Sequence, residues 1–182
     1  IHICHVSRAE EISLIRTAKE KGIQVTCEVA PHHLFLCLDD VPRIGAGRAE
    51  VRPMLASAAD RAALRANLEV ADCFATDHAP HLLSEKDSPS RPPGYPGLET
   101  ALALYLDLVH AGLMTLDELI DKCHTQPRRI FNLPEQPDTW VEVDPDAKWV
   151  VRGAEMQTRA KWTPWEGETL RGRVERVVLR GA

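Results

Sequence analysis

Several common protein classes are excluded by what this sequence lacks. Its five cysteines, at 4, 27, 37, 73 and 123, are odd in number and form no Cys-x-x-Cys pair. Neither a disulfide framework nor a zinc ribbon is expected, and reduced thiols in the cytoplasm are the simpler reading. No apolar run approaches the roughly 20 residues that span a bilayer, and no charged-then-apolar opening marks a signal peptide, so no membrane partner is expected. An excess of positive charge is missing as well: 22 Lys and Arg stand against 27 Asp and Glu, a net charge of -5, which speaks against a nucleic-acid partner. There is no Gly-rich phosphate loop, no Gly-x-Ser-x-Gly elbow, no interleaved basic-aromatic stripe, no fixed-period repeat and no low-complexity tract.

What is present is globular. With 182 residues, 44% hydrophobic and 27% charged, the chain is long enough for a real core. It starts at Ile1 directly in an apolar strand pattern, as expected of a piece of a longer polypeptide.

Ile1 to Val6 reads as a buried strand interrupted by His2 and His5. Ser7 and Glu10 have the spacing of a capping box, Ile12, Ile15 and Ala18 follow at helical intervals, and Gly22 stands where the helix should stop. Ile23 to Val29 is a second strand closed by Pro31. Residues 39–60 look irregular, residues 60–70 helical, and residues 72–76 form a third strand that ends at Asp77. A long loop from Pro80 to Gly97 carries four more prolines, a length that often signals function. Leu98 to His110 is an amphipathic helix, Thr115 and Glu118 form another capping box, and Pro127 suits a first helical position. After Pro134 the chain turns mostly β, with strands expected at 140–143, 149–151 and 169–180.

Alternating strands and helices imply a parallel sheet with crossover helices. Three such units are too few for a closed (β/α)₈ barrel, but they could be its last three. The expected fold class is α/β, the C-terminal part of such a barrel. Residues 1–133 would be its last strand–helix units, and residues 134–182 a β-rich accessory segment.

In that fold chemistry sits at the C-terminal ends of strands, where the polar residues of interest fall. His5, after Cys4, could present an imidazole to a metal; the competing account is a core histidine bonded to a backbone carbonyl. Asp77 could ligate a metal and shuttle protons, or cap the next helix. Strand alternation puts Cys27 and Glu28 on opposite faces, and a carboxylate in an apolar strand needs a cation or an ion-pair partner. Cys4, beside His5, reads first as a small buried hydrophobe. His32 and His33 look like a loop pair that packs locally. Arg52 could hold a substrate carboxylate bidentately, or be an ordinary surface arginine.

Taken together, four stretches resemble dihydroorotases of the amidohydrolase superfamily. They are His2-Ile3-Cys4-His5-Val6-Ser7; Glu28-Val29-Ala30-Pro31-His32-His33; Ala75-Thr76-Asp77-His78-Ala79-Pro80-His81; and Pro93-Gly94-Tyr95-Pro96-Gly97-Leu98-Glu99-Thr100. The likeness continues through Arg128-Arg129-Ile130-Phe131 to Trp162-Thr163-Pro164. It is nearest to the form that animals carry in a trifunctional polypeptide, joined to carbamoyl-phosphate synthetase and aspartate transcarbamoylase.

The resemblance implies a cytoplasmic, homo-oligomeric hydrolase that interconverts N-carbamoyl-L-aspartate and dihydroorotate in pyrimidine biosynthesis, with two zinc ions and, in the animal form, a third. It implies His5 and Asp77 as zinc ligands, Asp77 also as general base and acid, and Cys4 and Glu28 as ligands of the additional zinc. Arg52 and His81 would bind the substrate carboxylate, and Pro93 and Gly94 would offer backbone groups to the ring. The tail would belong to an accessory β-sandwich. The family's early His-x-His pair, its bridging carboxylated lysine and a further histidine have no counterpart here. Residues 1–182 alone are therefore expected to be inactive while the parent is an enzyme. Two rivals are a hydantoinase- or allantoinase-type cyclic amidase and a non-catalytic barrel scaffold; Arg52 and His81 favour an anionic ring substrate over the first.

Overall fold

A computed structural model describes residues 1–180. In chain order the elements are β1 (His2–Ile3), α1 (Ala9–Glu20), β2 (Thr26–Val29), α2 (Pro31–Phe35), α3 (Val41–Ile44), α4 (Ala58–Ala66), β3 (Cys73–Phe74), α5 (Leu83–Lys86), α6 (Leu98–His110), α7 (Leu116–Ile120), α8 (Gln126–Phe131), β4 (Trp140–Val150) and β5 (Thr169–Val178). Strands β1, β2 and β3 form a parallel sheet in that order, with Ile3 opposite Cys27 and Glu28 opposite Cys73.

Each crossover carries helix, as parallel strands require. Helix α1 begins one residue later than the Ser7–Glu10 spacing suggests. Glu11, not Glu10, reaches back, its carboxylate accepting from the Ser7 and Arg8 amides at 2.8 and 2.9 Å. The shift has a cause: the Val6 amide still donates to Glu28 O at 2.9 Å, so the chain is extended until Ser7. Helix α4 opens on a reciprocal pair, Ser57 Oγ accepting from the Asp60 amide and Asp60 from that of Ser57, each at 3.1 Å. Such a cap is worth about 1 kcal/mol.

Two expectations about element type need correction. Pro31 does not only end β2; it opens α2, and so His32 and His33 lie on a buried helical turn rather than in a loop. The tail has one long strand, β4, where two were expected. It pairs antiparallel with β5 from Trp140–Val178 to Val150–Thr169. Pro145, which cannot donate to a ladder, is accommodated within the register shift between Asp144 and Lys148, where Asp144 accepts from the Asp146 and Ala147 amides at 2.9 and 3.1 Å.

Two apolar clusters organise the packing. One lies between the parallel sheet and α1, α4, α6 and α7, around Ile12, Val29, Leu64, Phe74 and Leu108. The other joins Tyr95 and Leu104 to tail residues Val151, Trp162, Trp165 and Leu170. Strand β5 lies close on α6 at Gly172, where a β-carbon would stand 2.5 Å from Leu106 Cδ1. No described helix is long and apolar enough to cross a membrane.

Candidate active site

The C-terminal ends of the three parallel strands meet at one rim. On β2, Cys27 and Val29 are buried toward the helices, whereas Thr26 and Glu28 alternate onto the opposite, half-buried face. That face would line a barrel interior. His2 of β1 projects to the same side, its Nδ1 2.8 Å from Thr26 Oγ1 and its Nε2 3.1 Å from Glu28 Oε2.

His5 owes its position to a break in the ladder. Ile3 lies opposite Cys27, and an unbroken ladder would bring the amide of residue 5 to Glu28 O; the Val6 amide bonds there instead, so β1 carries one extra residue. The extra residue falls at Cys4–His5, and His5 adopts a left-handed φ of 41°. Extra residues of this kind re-aim side chains at strand ends. Asp77, three residues beyond β3, is also left-handed, with φ 46°. Two residues earlier, Ala75 is held from both sides: its amide donates to Val29 O at 3.3 Å, and its carbonyl accepts from Tyr105 Oη at 3.2 Å. No helix begins at residues 78–80, which removes the capping account of Asp77; the next helix is α5, from Leu83.

Between these strand ends lie His32 and His33. His32 Nε2 is 3.7 Å from Asp77 Oδ2. Three imidazole nitrogens, His5 Nδ1, His32 Nε2 and His33 Nε2, are buried with no hydrogen-bond partner. Buried polar atoms are nearly always paired, so three unpaired imidazole nitrogens, one of them 3.7 Å from the Asp77 carboxylate, call for an external partner. Burial, with His5 adding to it, lowers the His33 imidazole to about 4, and burial, with His33 and then His5 adding to it, pulls His32 well below its usual range, so both are neutral and able to donate lone pairs. Burial raises the Asp77 carboxyl above its ordinary value, with His5 opposing and Glu28 reinforcing the shift. This donor set fits a divalent cation of the borderline class that takes imidazole and carboxylate ligands.

Cys4 and Glu28 come together with His2: one donor atom from each lies within 4.8 Å of the others. The Cys4 thiol is raised by burial and by the nearby Glu28 carboxylate. Glu28 therefore has a close polar partner, 3.1 Å away, in a histidine that sequence spacing did not single out.

The proposed substrate residues occupy a separate layer. Arg52 is exposed, its guanidinium 3.1 Å from Glu50 Oε2 and 3.0 Å from Val51 O. The Gly94 amide donates to Glu50 O at 2.9 Å, which ties the Arg52 segment to the Pro93–Gly94 loop. That loop is in turn fastened to the strand end carrying Asp77, because the Ala79 amide donates to Tyr95 O at 3.0 Å. Gly94, at φ 135°, lies so close to Ala79 that a β-carbon would overlap its carbonyl and stand 2.7 Å from its Cβ. His78 instead fixes the start of α6, its Nδ1 accepting from the Leu98 amide at 3.1 Å. His81 is partly exposed, 3.9 Å from Glu85, and borders an open cavity of about 600 Å³ with Pro80 and Thr158.

The fold and these strand-end donors define the C-terminal part of an amidohydrolase barrel. The comparisons with known proteins agree. The structure superposes on an L-hydantoinase (dihydropyrimidinase) from Arthrobacter aurescens with TM-score 0.92 at 26% identity, covering 100% of this chain and 44% of that one. It superposes on an inactive dihydroorotase-like domain of a Chaetomium thermophilum CAD-like multifunctional protein with TM-score 0.80 at 31% identity, covering 100% and 50%. No family model matches the chain. In sequence it is 57% identical over 181 residues to a multifunctional protein CAD from Squalus acanthias and 38% identical over 187 residues to a dihydroorotase from Thermococcus kodakarensis. Both alignments take in all of this chain, but only 8% and 44% of those relatives. Over its whole length the chain is similar to dihydroorotases, and it spans less than half the length of these relatives.

Proposed function

We propose that this chain is the C-terminal part of a zinc-dependent dihydroorotase that interconverts N-carbamoyl-L-aspartate and dihydroorotate in pyrimidine biosynthesis. The observation that carries the reading is the convergence of His5 and Asp77, each in a left-handed conformation at the end of a parallel strand, with unpaired buried imidazoles between them. His5 and Asp77 would hold zinc, and Cys4 and Glu28, with His2 beside them, would serve an additional ion. Zinc bound there would polarise the amide carbonyl and make water a competent nucleophile.

Asp77 takes the proton from the attacking water and hands it to the ring nitrogen as the amide bond breaks; ring closure runs the same transfers backwards. A carboxylate made more basic by burial suits this exchange. Arg52 and His81 bind the carboxylate that dihydroorotate carries, and the Pro93–Gly94 backbone meets its ring. In the parent we place the chain within a multifunctional cytoplasmic polypeptide, joined to carbamoyl-phosphate synthetase and aspartate transcarbamoylase and assembled as a homo-oligomer. The 57% identity to a multifunctional relative supports that linkage. Residues 1–133 belong to the barrel and 134–182 to its accessory sandwich.

Two rivals have support of their own: the likeness to an L-hydantoinase favours a neutral cyclic amide, and the likeness to an inactive domain favours a scaffold. One assay separates all three. The full-length parent should contain zinc and hydrolyse dihydroorotate, and Arg52→Ala should raise KM by roughly tenfold to a hundredfold, about 1.4–3 kcal/mol for a lost charge-assisted contact, with zinc retained. Undiminished affinity in that variant points to a hydantoinase; absence of zinc and turnover points to a scaffold.

A further inference from the structure

Lys86 is fully buried at the end of a four-residue helix in which Ser84 and Glu85 are exposed and Leu83 is partly buried. An ammonium is almost never buried without partners, and the usual partner is a carboxylate. The direct partners of Lys86 are instead two backbone carbonyls, Glu50 O at 2.7 Å and Pro92 O at 2.8 Å. Its Nζ also stands 5.8 Å from the centre of the Tyr95 ring and 5.7 Å from that of Trp162. Burial lowers the ammonium to about 8, against the pull of the Glu50 carboxylate.

Each of these partners adjoins a proposed substrate contact. Glu50 is two residues before Arg52, and its carbonyl also receives the Gly94 amide. Pro92 immediately precedes Pro93. Tyr95 follows Gly94 and donates its hydroxyl to Ala49 O at 2.7 Å. Trp162 donates its indole N–H to His81 O at 2.8 Å. For stability alone, an apolar side chain would fill this space without the desolvation penalty of a cation. Only a group with several diverging donors can join two carbonyls on separate loops while facing two aromatic rings.

We infer that Lys86 is a positioning residue: it sets the spacing between the Arg52 arm and the Pro93–Gly94 backbone and, through Trp162, anchors His81, so that it governs affinity for the anionic substrate without touching it. This inference rests on the dihydroorotase reading for its substrate, but the bracket itself is a property of the loops.

The test uses the full-length protein with Lys86→Met. The variant should raise KM for dihydroorotate about tenfold and leave kcat within about twofold, with metal content unchanged, as loss of uniform binding requires. In an Arg52→Ala background the same change should add less than about twofold, because groups acting as a unit are non-additive. Hydrogen exchange at the Gly94 and Ala79 amides should quicken in Lys86→Met. If that variant does not fold, Trp162→Phe keeps a ring over the ammonium and removes only the bond to His81 O; about a threefold rise in KM is then expected. An unchanged KM, an equal rise in both backgrounds, or unaltered exchange at those amides would overturn the inference. A wild-type protein that leaves dihydroorotate untouched would reject the substrate reading, and the exchange rates would still decide whether Lys86 holds the loops.

Discussion

Replacing Asp77 with asparagine should separate its chemical work from its backbone work. Asp77 holds φ 46°, a conformation that costs most L-residues about 1–2 kcal/mol but that Asp and Asn adopt readily because their short polar side chains bond locally. Asparagine therefore keeps the shape and the strand-end geometry. It removes the negative charge and the proton acceptor. Burial already disfavours the charged form of Asp77, so losing that charge should cost the fold little. Loss of general acid–base catalysis lowers kcat by roughly 10²- to 10⁴-fold, about 3–5 kcal/mol of transition-state stabilisation. Alanine should lose the same catalysis and, in addition, about 1–2 kcal/mol of stability, because it has no polar side chain to support the left-handed backbone. Steady-state hydrolysis of dihydroorotate by the full-length protein, measured beside thermal unfolding and metal content, gives all the numbers. The reasoning fails if Asp77→Asn, with metal retained, keeps kcat within tenfold of wild type, or if the asparagine and alanine variants melt alike.

Two further outcomes are expected. Gly94→Ala should raise KM and loosen the 93–97 loop, since the added methyl overlaps the Ala79 carbonyl at a φ that side chains rarely adopt; overpacking and backbone strain each contribute roughly 1–3 kcal/mol, and hydrogen exchange at the Gly94 and Ala79 amides reads the opening. Metal-free protein should lose stability as the pH falls from about 6.5 toward 4, because His33 stays neutral when folded down to about 4 while the unfolded chain takes up the proton near its ordinary value. The unfolded state binds more protons throughout that window, so His33 alone removes about 2 kcal/mol between pH 7 and pH 5, and His32 acts in the same direction. Urea unfolding after chelation at the two pH values measures it, and an equal midpoint and slope at both would contradict the neutral, buried assignment.

Much of this architecture is legible in the residues, for identifiable reasons. Helix α6 declares itself because its apolar positions repeat over thirteen residues, and Thr115 with Glu118 marks the start of α7 through a local reciprocal bond. His5 and Asp77 stand out because a polar group at the end of an apolar strand is costly to bury unless something binds it. Short elements are harder. Helix α2 is five residues long, too brief for any period, and Pro31 at its first turn is its sole mark. The pairing of His2 with Glu28 depends on the register of two separate strands, which spacing along the chain does not encode. Lys86 is the extreme case: in Leu-Ser-Glu-Lys-Asp it looks like any solvated lysine, yet Glu50, Pro92, Tyr95 and Trp162, distant in sequence or on other loops, meet its ammonium.

Six described non-glycine residues have positive φ, and two of them are His5 and Asp77. Strain at a strand end persists only where surrounding structure imposes it. For His5 the restraints are the Ile3–Cys27 pairing before it and the Val6–Glu28 bond after it; for Asp77 they are the two bonds on Ala75 and the Tyr95 carbonyl holding Ala79. His5 Nδ1 is buried without a hydrogen-bond partner, and Asp77 Oδ2 lies 3.7 Å from His32 Nε2. Left-handed backbones at two strand ends, together with three unpaired imidazole nitrogens, are what support the proposal that this rim binds a cation.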